Sequence, residues 1–199
     1  MNQKERMLAE LPYIASDEVL NRERMECKRK IYELNNVHQD QYNRIPGLLK
    51  ELFGKTDETV FVEPPFHCDY GYNIEVGENF FANYNCTVLD VAKVQIGKNV
   101  MLGPNVSFYT AGHPLYHESR NSGYEYGISI TVGDNVWIGG SVSIMAGVSI
   151  GNIMVRCCKL RNNLLYFINI ICVYLLLEKR LTNNLLWYNI NHNYIDIRD

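Results

Sequence analysis

Hydrophobic residues recur every six positions through the middle of the chain. Strict alternation would predict a flat strand and a 3.6-residue period a helix, and a period of six predicts neither. An earlier register joins the main one through a two-residue offset near Val94. The residues that open successive units are Val76, Ala82 and Val88, then Ile96, Leu102, Phe108, Val132, Ile138, Ile144 and Ile150. The fifth place of the later units holds Val100, Val106, Val136, Val142 and Val148.

This period suits a chain that turns a corner every six residues and points one aliphatic side chain inward at each corner. Glycine or asparagine near the corner tolerates the unusual backbone angles of the turn. Three sides close one triangular coil, and stacked coils bury a continuous aliphatic column. The alternative is a run of short strands in an ordinary β-sandwich, which the units in register disfavour. The sequence therefore predicts a mainly β protein, with a parallel β-helix over residues 59–151.

Helical patterns precede the repeat, in residues 1–58. Ser16 and Asp17 are good N-cap residues for a first helix, and Gly54 closes a second, shorter one. A strand is predicted at 59–62, ended by Pro64 and Pro65. The apolar positions at helical spacing are Leu20, Cys27, Ile31 and Leu34, then Ile45, Leu48, Leu49, Leu52 and Phe53. We interpret residues 1–58 as an α-helical cap on the β-helix.

An insertion interrupts the repeat at residues 113–129. A repeat gains no stability from looping out, so an excursion of this length is usually functional. It begins with His113 at a corner position. We expect Asn83, Asn85 and Asp90 to stack on the same side of the preceding coils.

The repeat ends abruptly at Gly151. All 14 glycines and all six prolines lie at or before this residue, and the atypical tail of residues 152–199 has neither. Its apolar run at 164–177 is shorter than the ~20 residues of a spanning helix, so a buried helix or strand pair is the commoner meaning and a short membrane anchor the alternative. The break in composition favours the hypothesis that the tail is translated in a shifted reading frame of an AT-rich gene. Sequencing that finds no insertion or deletion near codon 152 would contradict it.

The net charge limits the kinds of partner that we expect for the protein, and the cysteine pattern indicates its compartment. The 19 Lys and Arg against 22 Asp and Glu give a net charge of -3, which argues against a nucleic-acid partner. The first residues contain no apolar run of the kind found in signal peptides. The six cysteines have no CxxC spacing, so we expect reduced thiols and a cytoplasmic protein.

Several motifs carry a resemblance to a known family. They are residues 64–86 with the segment Cys68-Asp-Tyr-Gly-Tyr72, then Gly103-Pro-Asn-Val106, Thr110-Ala-Gly-His-Pro-Leu115, Arg120-Asn-Ser-Gly123, Glu125-Tyr-Gly127 and Asp134-Asn-Val-Trp-Ile-Gly-Gly140. Together with residues 4–8 and 13–17, they resemble the maltose and galactoside O-acetyltransferases. The segment at 68–72 is closer to the maltose branch. The resemblance covers about residue 4 to Gly151 and does not include the tail.

The resemblance implies a left-handed β-helix, a homotrimer with sites between subunits, and acetyl transfer from acetyl-CoA to a hydroxyl of a maltose- or glucose-type sugar, with no metal. It places the general base at His113, and the chemistry agrees, because a sugar hydroxyl needs a base as it attacks and imidazole titrates near neutral pH. The thioester oxyanion needs a preorganised donor, which the resemblance puts near the backbone N–H of Gly140, with Trp137 at the cofactor groove. The implied acceptor contacts are Asp17, Arg24, Asp69, Phe81, Asn83 and Glu125.

Simpler roles stay open for each of these residues. His113 can be a solvated loop residue, and Asn83 can be a corner residue with left-handed backbone angles. Asp17 and Arg24 can belong to a charged helix face. Trp137 can be a packing residue.

Two other functions are alternatives. The first is a metalloenzyme similar to the gamma-class carbonic anhydrases, in which three histidines hold zinc across a subunit boundary. His67, His113 and His117 are the candidates, and neither their spacing nor the Ala-Gly-His-Pro-Leu context favours it. The second is an inactive scaffold. In the family, further hexads supply much of the acetyl-CoA groove, so the altered tail predicts impaired cofactor binding.

Overall fold

The computed structural model describes residues 1–156, and the predictions for the apolar run and the rest of the tail lie outside this part. Helix α1 is Gln3–Leu8, α2 is Glu18–Asn35, α3 is Ile45–Leu52 and α4 is His117–Asn121, with a 3₁₀ helix at Gln39–Arg44. The two helices expected from the N-terminal pattern are confirmed as α2 and α3. The buried residues of α2 are the four predicted ones, Leu20, Cys27, Ile31 and Leu34.

Three parallel sheets form the faces of a triangular prism. Face 1 contains β4 (Ile74–Val76), β7 (Val94–Ile96), β12 (Ile130–Val132) and β15 (Ser149–Ile150). Face 2 contains β2 (Phe61–Val62), β5 (Phe81–Ala82), β8 (Met101–Leu102), β13 (Trp137–Ile138) and β16 (Val155–Arg156). Face 3 contains β3 (Phe66–Cys68), β6 (Cys86–Leu89), β9 (Ser107–Tyr109) and β14 (Ser143–Met145). The chain visits faces 2, 3 and 1 in turn, so the predicted parallel β-helix is confirmed and the β-sandwich alternative is wrong.

The residues that open the six-residue units form the core of the prism. All ten are buried, and the most exposed of them, Ile96 and Ile150, keep 6% of their surface accessible. The same hydrophobic cluster includes residues of α2 and α3, so these helices bury their apolar faces against the coils. Burial of this aliphatic column is the main stabilising contribution that the repeat supplies.

Asparagine ladders run along the corners, as the corner prediction requires. Asn79, Asn99 and Asn135 occupy equivalent corners with φ of 57°, 55° and 57°. The side-chain amide of Asn79 donates to Oδ1 of Asn99 at 3.0 Å, and that of Asn99 donates to Oδ1 of Asn135 at 2.9 Å. Asparagine tolerates the left-handed region better than other side chains and adds a hydrogen bond between coils. In the next coil the equivalent position is Ile153, with φ of 54°.

Ile153→Asn is therefore expected to raise the free energy of unfolding by about 1 kcal/mol, because a β-branched side chain is strained at positive φ. The isoleucine side chain is 80% exposed, so its removal loses little packing. Urea unfolding at fixed protein concentration measures the change. The reverse substitution, Asn135→Ile, is the matched control and should lower stability. An unchanged midpoint for Ile153→Asn would contradict the strain.

The cysteines and helices bear on the predicted compartment. In residues 1–156 Cys27, Cys68 and Cys86 are buried free thiols. The Sγ atoms of Cys27 and Cys68 lie 3.6 Å apart and share a hydrogen bond between α2 and β3. No helix in that part of the chain has the length and apolar character needed to cross a membrane.

Candidate active site

The insertion folds back onto the N-terminal segment through a small antiparallel sheet. Its strands are β1 (Tyr13–Ile14), β11 (Tyr124–Gly127) and β10 (Ala111–Gly112), in that order. Tyr13 is opposite Glu125, and its hydroxyl donates to Glu125 Oε2 at 2.9 Å. The backbone N–H of Ser129 donates to Glu10 at 2.9 Å. These contacts fix both ends of the excursion beside the start of α2.

A polar cavity of about 380 Å³ opens where this sheet, α2 and the corner between faces 3 and 1 meet. It brings together three of the predicted acceptor residues, Arg24, Asp69 and Glu125. The other lining residues are Ala15, Ser16, Asn21, Tyr70 and Val91. A guanidinium and two carboxyl groups facing one small space can donate to and accept from a polyhydroxylated ligand.

Arg24 is held in place by two well-formed hydrogen bonds. Its Nη1 donates to the hydroxyl of Tyr70 and its Nη2 to the carbonyl of Ala15, both at 2.6 Å. Nη2 also contacts Oδ1 of Asn21. The alternative that Arg24 only belongs to a charged helix face does not account for its head group, which is anchored at the cavity wall. Its predicted contact with the acceptor stays a prediction.

The environment of Asp69 at the cavity favours its protonated form. Burial raises the pKa of Asp69, the negative charge of Glu125 raises it further, and the positive charge of Arg24 opposes both. Burial and the neighbouring Glu125 also raise the pKa of Tyr13, and burial raises the pKa of Tyr70 to about 12. Both hydroxyls therefore stay protonated and remain hydrogen-bond donors at neutral pH.

Asp17 caps α2 beside the cavity. Its Oδ1 accepts from the backbone N–H groups of Val19 at 3.0 Å and Leu20 at 3.2 Å, as expected for an N-cap residue. It is next to Ser16 in sequence but does not line the cavity. Its predicted contact with the acceptor stays a prediction.

His113 begins the irregular part of the insertion. It follows Gly112, which pairs with Tyr126, and by continuing that antiparallel register it comes opposite Glu125. His113 is exposed, as its chemistry would require. Arg120 closes the arch that follows, by donating to the carbonyls of Pro114 and Leu115 at 3.4 and 3.3 Å. The candidate base thus directly follows β10, which pairs with the strand that carries Glu125.

The remaining predicted residues lie elsewhere, on face 2. Phe81 is opposite Met101, which is opposite Trp137, so the outward side chains form an apolar stripe. Phe81 stacks on Phe61 with ring centroids 6.4 Å apart and planes 7° apart. Trp137 is 46% exposed, and two strand spacings separate it from Phe81, about 10 Å. Residues Asn83 and Gly140 follow these strands toward face 3.

The expectation that Asn83, Asn85 and Asp90 share one side of the coils is wrong. Asn83 and Asn85 lie between β5 and β6, at the corner of faces 2 and 3, and Asp90 follows β6 at the next corner. Asn85 has a φ of 61°, so it is a corner asparagine, whereas Asn83 is not among the residues with positive φ. The side chain of Asn83 instead accepts from the N–H of Tyr84 at 2.8 Å.

Comparison with known proteins decides the family. Residues 6–57 match the maltose acetyltransferase hexapeptide capping motif. The structure of a maltose O-acetyltransferase from Clostridium difficile 630 is 52% identical, with a TM-score of 0.77 over 78% of this chain and 83% of that one. A galactoside acetyltransferase in complex with coenzyme A is 41% identical, with a TM-score of 0.74 over 78% of both chains. The galactoside O-acetyltransferase of Escherichia coli K12 is 44% identical over 135 residues, 68% of this chain and 66% of that protein.

The chain belongs to the maltose and galactoside O-acetyltransferase family. Its β-helix is therefore the left-handed, hexapeptide-repeat type, as the resemblance implied. Acyltransferase is also the enzyme class of the family. The aligned part of this chain spans about two thirds of the length of the Escherichia coli relative, so part of that protein has no counterpart in the match.

The predicted site residues form two groups, which lie on different sides of the prism. Arg24, Asp69 and Glu125 form the cavity, and Phe81 and Trp137 lie on face 2. In the part of the chain with described coordinates, no group of three His, Cys, Asp or Glu side chains is placed to hold a metal ion.

The sequence indicated no role for Tyr70, which lines the cavity, and none in the site for Asp90, which hydrogen-bonds to the backbone of two lining residues. The signal for Tyr70 was its position in the quoted segment 68–72, next to Asp69. The sequence marks Asp90 only as a charged residue at a corner of the repeat. Its hydrogen-bond partners depend on how the coils stack. Its Oδ1 accepts from the N–H groups of Asp69 and Tyr70.

Proposed function

We propose that this chain is an acetyl-CoA-dependent O-acetyltransferase that acts on a sugar hydroxyl, with a maltose- or glucose-type acceptor. The observation that carries the proposal is the polar cavity of Arg24, Asp69 and Glu125 beside the loop that begins with His113. The cavity lies in a chain of a family whose members include maltose and galactoside enzymes. Its charged and hydroxyl-bearing groups suit neutral ligands with several hydroxyls.

The proposed reaction begins when His113 takes the proton of an acceptor hydroxyl. The hydroxyl oxygen attacks the thioester carbon, so a C–O bond forms and the carbonyl oxygen becomes an oxyanion. The backbone N–H of Gly140 would stabilise that oxyanion. The C–S bond then breaks, and the proton passes from His113 to the leaving sulfur, giving acetylated sugar and free CoA thiol.

We also propose that the sites form between the subunits of a homotrimer. The two groups of predicted residues lie on different sides of one chain, so a second copy is needed to bring face 2 against the cavity of the first. Exposed apolar side chains support an interface, since Met101 and Trp137 on face 2 and Leu115 on the insertion are accessible, Leu115 at 96%. A threefold arrangement of identical interfaces closes such an assembly.

The acetyl-CoA side of the site is proposed on face 2. The indole of Trp137 and the neighbouring Met101 offer an apolar wall for a ligand chain, and Gly140 lies next to Pro104. Residues 1–58 are proposed as the cap, in agreement with the matched motif at 6–57. The buried free thiols support a reducing compartment such as the cytoplasm.

Release of CoA thiol from acetyl-CoA tests the function, with glucose, maltose and a galactoside as acceptors. We expect release that depends on sugar and saturates with it, and acetylated sugar detected by mass spectrometry in equal amount. Acetyl-CoA without sugar controls for hydrolysis. If the trimeric protein releases no thiol with any of the three, the proposal fails and an inactive scaffold takes its place. Analytical ultracentrifugation of the same sample tests the trimer.

A further inference from the structure

Asp90 is a fully buried carboxyl group directly behind the proposed acceptor cavity. Its Oδ1 accepts from the backbone N–H groups of Asp69 at 3.0 Å and Tyr70 at 2.9 Å. The side chain of Asn73 donates to the carbonyl of Asp90 at 2.7 Å. Oδ2 has no hydrogen-bond partner within residues 1–156. A buried carboxyl group with one oxygen unpaired is costly for folding.

The corner that Asp90 occupies does not need a carboxyl group. Thr110 is the equivalent residue of the following coil, and it is also fully buried. Its hydroxyl donates to the carbonyl of Leu89 at 2.6 Å and accepts from the N–H of Ala92 at 3.0 Å. The threonine hydroxyl thus makes two hydrogen bonds at this corner and leaves no oxygen unpaired. Asp90 leaves one oxygen unpaired at the equivalent corner, so stability alone does not explain a carboxyl group there.

The contacts of Asp90 supply that reason. The two N–H groups that it holds belong to Asp69 and Tyr70, and both side chains line the cavity. The hydroxyl of Tyr70 in turn accepts from Nη1 of Arg24 at 2.6 Å. Oδ1 of Asp90 therefore fixes the backbone of Asp69 and Tyr70. The side chain of Asp69 brings a carboxyl group to the cavity, and the side chain of Tyr70 anchors the guanidinium of Arg24. Val91, which follows Asp90, lines the same cavity.

We propose that Asp90 is a positioning residue for the sugar acceptor, which sets the geometry of Asp69, Tyr70 and, through Tyr70, Arg24. The inference rests on the proposed function. The charged and titratable groups near Asp90 are Asp69, Cys68 and Tyr72. Burial raises the pKa of Asp90 to about 7, and the two donated N–H bonds oppose that rise.

The test compares two substitutions of Asp90. Asp90→Thr introduces at this corner the residue type that occupies the equivalent corner of the next coil, Thr110. By the geometry of Thr110 its hydroxyl should bond the carbonyl of Asp69 and the N–H of Tyr72, and so leave the N–H groups of Asp69 and Tyr70 without their acceptor. Asp90→Asn keeps an oxygen that can accept from both. We expect Asp90→Thr to raise the acceptor KM roughly tenfold or more, with kcat and the KM of acetyl-CoA changed less than about twofold. Asp90→Asn should stay within about threefold of wild type in all three constants.

Asn35→Ala is the matched control for a loss of stability alone. The side chain of Asn35 accepts from the N–H of Phe66 at 2.8 Å and donates to its carbonyl at 2.9 Å, so it also makes two backbone hydrogen bonds to a coil. It does not line the cavity. Asn35→Ala should lower the urea midpoint and leave the acceptor KM unchanged. A similar rise in KM for both variants would mean that Asp90 acts only through stability.

Amide hydrogen exchange by NMR provides a measurement independent of catalysis. The N–H groups of Asp69 and Tyr70 should exchange faster in Asp90→Thr than in wild type and Asp90→Asn, at equal global stability. Wild-type turnover with an unchanged acceptor KM in Asp90→Thr would overturn the inference and leave the proposed function standing. If wild type shows no turnover, the proposed function fails. NMR titration with maltose then decides the inference, because roughly tenfold weaker binding to Asp90→Thr supports it and equal or absent binding overturns it.

Discussion

His113→Ala is expected to lower kcat by about 10²- to 10⁴-fold, because the acceptor hydroxyl would lose its general base. The substitution should leave the fold intact, since His113 is exposed and follows the paired Gly112. The KM values of sugar and acetyl-CoA should change little, because the loss falls on the transition state. Thiol release at saturating substrate, with circular dichroism and ultracentrifugation on the same sample, measures the effect.

His117→Ala is the matched control for His113→Ala. Both histidines are exposed on the insertion, and His117 begins α4 four residues further along. We expect the His117 variant to retain most of the wild-type turnover. Equal turnover of His113→Ala and wild type would refute the assigned role of His113. Equal losses in both variants would instead show that the insertion as a whole has been disturbed.

The β-helix could be predicted because its core repeats at a fixed spacing. Burial selects a hydrophobic residue at the same inward-facing place in each strand, and residues such as Leu102, Phe108 and Ile138, in β8, β9 and β13, are buried for that reason. The prediction that these residues mark the corners is wrong, because the corners are occupied by residues such as Asn99 and Asn135. The N-terminal helices could be predicted for a related reason, since α2 buries one face at helical spacing. The antiparallel sheet of β1, β10 and β11 has no such signal. Tyr13 pairs with Glu125 across 112 positions, and strands of two to four residues are too short to show a period.

The candidate site was predictable in part. His113 stood out because a break in the repeat marks it, whereas Arg24 was expected only from the family resemblance. Sequence alone could not assign them to one side of the prism, because that depends on how the insertion and the cap fold back. Asp90 shows the same limit, since its hydrogen bonds depend on which residues of the preceding coil stack beside it. Its role follows from the N–H groups that the preceding coil presents.

Gly97→Ala is expected to lower the free energy of unfolding by about 3 kcal/mol, because the new methyl group has no space between coils. A Cβ at Gly97 would lie 2.7 Å from the carbonyl carbon of Gly133 and 2.8 Å from the backbone nitrogen of Asp134. The nearest atom is the side-chain Oδ1 of Asp134, and the other two are backbone, so moving that side chain is not enough and relief also requires the coils to separate. The N–H of Gly97 donates to the carbonyl of Val132 at 2.8 Å, and separation would weaken that bond.

Gly47→Ala is the matched control, because it makes the same chemical change where nothing lies within 4 Å of the new methyl group. Gly47 lies within α3, where alanine is a better helix former than glycine, so this variant should gain about 0.5–1 kcal/mol. Urea unfolding of both variants at one protein concentration measures the two effects with opposite signs. If Gly97→Ala lowered the free energy of unfolding by less than an ordinary surface substitution does, the coils would not be packed against each other at this corner.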